Sequence, residues 1–190
     1  MAPVPAPLPE AARGQLEGVV DALRLRHGAD LIGVYRHGSL VTGDWVPGKS
    51  DADLLVLRRT PLDAAGRSDA ASLWLGLSIA FGPKGVEVHE LVQDDVRRDP
   101  LRYDFHFSEA HRPRAAAVAA GAPAGAPFVP GRDPELPGYL ALARLAPPLF
   151  GPPASRMWPE PARKLVLAGY LSDWGGGCTS RVAPTPPPSS

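Results

Sequence analysis

Residues 35–57 read YRHGSLVTGDWVPGKSDADLLVL, a Gly-Ser pair followed by two carboxylates that alternate into an apolar run. Upstream, the apolar Leu31, Ile32, Val34 and Tyr35 predict a short strand that ends at Gly38-Ser39. A glycine at a strand end lets backbone N–H groups come close to an anion, and the Ser39 hydroxyl adds another donor. Eleven residues separate Ser39 from Asp51, and Gly43, Pro47 and Gly48 among them make a turn-rich return that brings the carboxylates beside Gly38. Strand alternation then places Asp51 and Asp53 on one face, and Ala52, Leu54 and Val56 on the other. Like charges on one face repel, and a folded chain tolerates them best around a divalent cation, so Mg²⁺ is the expected ion. An isolated Asp-x-Asp is more often a solvated turn, but the Gly-Ser element at this distance favours a phosphate cradle beside a metal site.

The whole chain has 190 residues, 44% apolar and 21% charged, enough for one hydrophobic core and so for one globular domain. Twenty basic side chains balance twenty acidic ones, which removes the electrostatic case for a nucleic-acid or membrane-surface protein. The stretch from Arg97 to Arg114 is basic, yet Asp99, Asp104 and Glu109 interrupt it, as on a solvated face. Cys178 is the single cysteine, which excludes an intrachain disulfide or thiolate cluster and fits a reducing cytoplasm. No segment approaches the roughly 18 apolar residues that span a bilayer, and the start lacks a basic patch followed by an apolar run.

Local pattern predicts an α/β (α+β) architecture, a mixed sheet flanked by helices. Residues 1–14 read as a mobile leader, Pro-rich from 3 to 9. A helix over 10–27 follows through Leu16, Val19, Val20 and Leu23, stopped by Gly28. A second helix is expected over 62–77, opened by Pro61, and a Gly-Pro-Lys-Gly turn occupies 82–85. In the strand expected over 86–92, Val86 and Val88 face a core while Glu87 and His89 face the working side. Residues 102–108 read as a further strand whose Tyr103, Phe105 and Phe107 pack a core. Beyond it come a helix and linker over 115–127, a helix over 136–146 and an amphipathic helix over 159–173. The Gly/Pro/Ser-rich residues 174–190 lack the apolar content to offset ordering entropy and are expected to be disordered.

Gly38-Ser39 followed by Asp51-Ala52-Asp53 and Leu54-Leu55-Val56 resembles the signature of the nucleotidyltransferase superfamily with the polymerase-beta-like fold. Within it, residues 34–56 are most similar to the aminoglycoside adenylyltransferases that modify streptomycin and spectinomycin. Those enzymes carry a third acid in a Glu-Val-Thr-like strand, and Val86-Glu87-Val88-His89 matches its setting. The resemblance implies a domain over 15–150 that transfers AMP from ATP to a hydroxyl of an aminoglycoside or aminocyclitol, an antibiotic-resistance activity. It implies Mg²⁺ on Asp51, Asp53 and Glu87, phosphates at Gly38 and Ser39, and Glu87 as the base.

Two departures accompany the resemblance. The family continues into a longer helical domain, of which 151–173 would be a truncated start, and an aromatic position that contacts streptomycin in the family carries Ala110 here. Two other readings are an antitoxin-type nucleotidyltransferase that modifies a protein, and a catalytically impaired remnant. His89, His106 and His111 lack short ligand spacing and read as surface or core histidines. Ser39 lacks a Gly-x-Ser-x-Gly elbow, so nucleophilic catalysis is not expected of it.

Overall fold

A computed structural model of the chain describes residues 5–176. Helix α1, Glu10–His27, buries Ala12, Leu16, Val19 and Leu23, a stripe at helical spacing, while Arg24, Arg26 and His27 complement the negative end of its dipole. Gly28 adopts φ 52° to close it, its N–H bonding to the Arg24 carbonyl. The helix thus begins within the expected leader. Residues just before it are tied down as well: the Ala6 N–H bonds to the Val41 carbonyl at 3.0 Å, and the Ala6 carbonyl accepts from Arg36 Nη2 at 2.9 Å.

Strand β1, Leu31–Arg36, leads into the single turn α2, Ser39–Thr42, and then to β2, Ala52–Arg58. Helix α3, Ala64–Phe81, crosses over to β3, Val86–Val92, and is followed by α4, Gln93–Arg98. Helix α3 starts two residues later than expected because Asp63, not Pro61, caps it, accepting from the Gly66 N–H at 2.7 Å. It runs four residues further, to a stop at Gly82. Next come β4, Arg102–Tyr103, and β5, Phe105–Phe107, then α5, Arg112–Ala119, β6, Gly131–Arg132, α6, Leu136–Ala143, α7, Ala154–Met157, and α8, Arg163–Gly176. Residues 174–176 of the expected tail belong to α8, and 177–190 lie outside the described residues.

The main sheet has the order β1-β2-β3-β5, antiparallel except for the parallel pair β2/β3. On one face α1, α3 and α5 bury Leu54, Val56, Val88, Phe105 and Phe107. On the other, Tyr35, Leu55, Leu57 and Leu91 pack against Leu136 and Leu140 of α6 and against Ala154 and Trp158. The stretch after residue 150 therefore joins the core of the same sheet. It is fixed by the Tyr35 hydroxyl donating to the Pro152 carbonyl at 3.0 Å and by Trp158 Nε1 donating to the Leu140 carbonyl at 3.2 Å.

The single strand expected over 102–108 is two strands. Arg102 and Tyr103 leave to pair with β6, and Phe105 to Phe107 pair with β3. The break is at Asp104, whose carboxylate is drawn into a buried network. Arg58 donates from Nε to Glu90 Oε2 at 2.8 Å and from Nη2 to Asp104 Oδ2 at 2.6 Å. Arg67 Nη2 and the Leu62 N–H reach Asp104 at 2.7 and 2.8 Å, and Trp74 Nε1 donates to Glu90 Oε1 at 2.7 Å. Each charge is thereby paired inside the core, the condition under which burial is tolerated.

Candidate active site

The parallel register sets Asp53 of β2 opposite Glu87 of β3, and Asp51 stands one residue before β2. One carboxylate oxygen from each of Asp51, Asp53 and Glu87 lies within 4.8 Å of the other two. The three acids anticipated from the sequence converge on the face that α6 covers lower down. Burial pushes the Asp53 carboxyl up to about 8, and the charges of Asp51 and Glu87 push it the same way, against a smaller pull from the Ser39 backbone. Asp51 is also raised, chiefly by burial. Glu87 is held below its usual range, first by the neighbouring His106 ring, whose Nε2 lies 3.6 Å from Glu87 Oε1.

Gly38 is required by contact as well as by its φ of 52°. A Cβ there would sit 2.0 Å from Asp53 Oδ2, so only glycine lets the turn close over the carboxylate. The His37 N–H bonds to the Asp53 carbonyl at 3.1 Å and pins the turn to β2. Ser39 opens α2 with its Oγ buried and without a hydrogen-bond partner among the described residues. A buried hydroxyl left open beside three carboxylates suits a bound oxyanion and its counter-ion, so the residues present fit a Mg²⁺-phosphate pair.

Around these acids lie residues that local pattern did not reveal. His37 is buried, with its ring stacked on Tyr139 at 4.4 Å, and burial holds its pKa down at about 3. His106 stacks on His89 at 4.2 Å, and His89 Nε2 approaches Asp133 Oδ2 to 2.9 Å. The Tyr139 hydroxyl donates to Glu135. These contacts come from β5, the segment after β6 and α6, which sequence distance hides. The one local hint was the alternation at Glu87 and His89. Between α6 and α8 a cavity of about 270 Å³ opens beside Gly38, lined by Gly138, Tyr139, Leu142, Val166 and Tyr170. Ala110 lies exposed in the turn before α5.

A pH-dependent stability follows from Asp53. Its native pKa is raised, so between about pH 4 and 8 the folded state holds a proton that the unfolded state has released, and stability falls as pH rises through that window. In chelator, Asp53→Asn should melt above the wild type at pH 8, and the difference should close towards pH 4. Thermal melts at both pH values check this, and an equal difference at both would assign the effect to packing rather than charge.

Among the described residues no helix is long and apolar enough to cross a membrane. No curated protein matches the sequence. The structure is similar to a crystal structure of spectinomycin adenyltransferase AAD(9) from Enterococcus faecialis with ATP and spectinomycin, at a TM-score of 0.67 and 18% identity. The likeness, which is one of fold, covers 86% of this chain and 66% of that one, so the present chain spans slightly less than two thirds of that protein's length. Residues 16–118, more than half of the 190, match the nucleotidyltransferase domain. The chain belongs to the nucleotidyltransferase domain family.

Proposed function

We propose that this domain transfers AMP from ATP to a hydroxyl of a small, cationic acceptor of the aminoglycoside or aminocyclitol class, as in antibiotic resistance. The observation that carries the reading is the convergence of Asp51, Asp53 and Glu87 within 4.8 Å, beside the Gly38-Ser39 turn. Asp51 and Asp53, with Glu87 at their side, would hold Mg²⁺. When bound, this ion neutralises charge on the triphosphate and on the departing pyrophosphate. The amides at Gly38 and Ser39 and the Ser39 hydroxyl, open among the described residues, hold the terminal phosphates. The aromatic and apolar cavity beside Gly38 has walls suited to a purine, with Tyr139 and Leu142 contributed by α6 and Val166 and Tyr170 by α8. Glu87, kept ionised by His106, accepts the proton of the attacking hydroxyl. A cationic acceptor matches the carboxylates of Glu87, Asp133 and Glu135, all near enough to Tyr139 to act on its hydroxyl.

The experiment is pyrophosphate release from ATP with a panel of aminoglycosides and aminocyclitols, with products read by mass spectrometry. Transfer of AMP to at least one of them is the expected result, and ATP turnover that no acceptor stimulates would reject the acceptor class. In the same protein Mg²⁺ should tighten ATP binding, and Asp53→Asn should remove that gain. Affinity that chelator leaves unchanged in both proteins would dismiss the metal site.

A further inference from the structure

We propose that Glu87, His89 and His106 form a second cation site, of the borderline class typified by Zn²⁺, alongside the three-carboxylate cluster. One donor atom from each of the three lies within 4.8 Å of the other two. The antiparallel register pairs His89 with His106, and alternation along β3 puts Glu87 on the same face, so three residues spread over 20 positions meet. His89 is wholly buried; its Nε2 faces Asp133 Oδ2, and its Nδ1 has no hydrogen-bond partner among the described residues. His106 Nε2 is buried 3.6 Å from Glu87 Oε1, just beyond hydrogen-bonding distance. Buried imidazole nitrogens normally find partners, and a cation between them would supply one. Asp133 Oδ2, 2.9 Å from His89 Nε2, is placed to orient that ring as carboxylates orient metal-bound histidines.

The donor sets of the two sites differ in kind. Asp51, Asp53 and Glu87 offer only oxygen, which suits Mg²⁺, whereas two imidazoles and one carboxylate suit Zn²⁺ and its neighbours. Glu87 belongs to both sets, so an ion on the histidines withdraws Glu87 from the acids. Imidazole lone pairs lie in the ring planes, and the rings are stacked within 10° of parallel. An ion therefore draws one of them out of the stack, and the partly exposed His106 is the one free to turn.

The test uses the metal-stripped 190-residue chain titrated with Co²⁺, whose visible absorption reports nitrogen ligation. One Co²⁺ per chain is expected, displaced by Zn²⁺ and resisted by a large excess of Mg²⁺. His106→Gln should weaken binding at least about 10²-fold, Asp133→Asn about 10-fold, and Asp53→Asn should leave it unchanged. Circular dichroism establishes that each variant is folded. If His106→Gln fails to fold, His106→Asn and Asp133→Asn carry the comparison. Absence of Co²⁺ absorption at millimolar metal overturns the proposal. So does affinity lost in Asp53→Asn, or affinity unchanged in the histidine and Asp133 variants, since the ion would then sit on the acids or elsewhere.

Discussion

Glu87→Gln should lower AMP transfer by about 10² to 10⁴-fold while leaving Mg·ATP affinity within a few-fold of the wild type, the range over which a positioned base contributes to a rate. The substitution keeps the shape and removes only the charge that His106 holds in place. Asp51 and Asp53 remain to grip the ion, so binding persists while proton removal does not. Single-turnover kinetics with equilibrium ATP binding separate the two quantities. Loss of nucleotide binding together with turnover would make Glu87 a metal ligand first, and unchanged turnover would remove it from the chemistry altogether.

A comparable effect on stability is expected on the opposite face of the sheet. Glu90→Gln should destabilise the fold by about 3 to 5 kcal/mol, because it strips the buried Arg58 of its fully buried carboxylate partner. Arg58 would keep Asp104, but Asp104 is also engaged by Arg67. In a domain of this size each kcal/mol lowers the melting temperature by roughly 2 to 4 °C, so a drop of about 10 °C is anticipated. Glu90 points away from Glu87 across the sheet, hence ATP affinity measured well below the transition should be retained. Combining Glu90→Gln with Arg58→Met removes the stranded charge, and the double variant should recover part of the loss. A double variant no more stable than the single would show that the hydrogen bonds to Trp74 and Thr60, rather than charge balance, dominate.

The amino-acid sequence by itself determined the alternation that puts Ala52, Leu54 and Val56 into one core, the glycine at position 38, and the acids at 51, 53 and 87. Each of these is a local consequence of strand period or of a backbone contact, legible over a few residues. Helix ends were harder to read, because a cap depends on which side chain happens to reach the first turn, as Asp63 does for α3. Only the tertiary structure decided what surrounds the acids. Burial sets the charge state of Asp53, and the pairing of β3 with β5 brings His106 to Glu87. The splitting of the strand at Asp104 likewise depends on Arg58 and Arg67, 46 and 37 residues away. Such contacts follow from strand order and from burial of charge, and both are settled by how the whole chain packs, not by any stretch of it read alone.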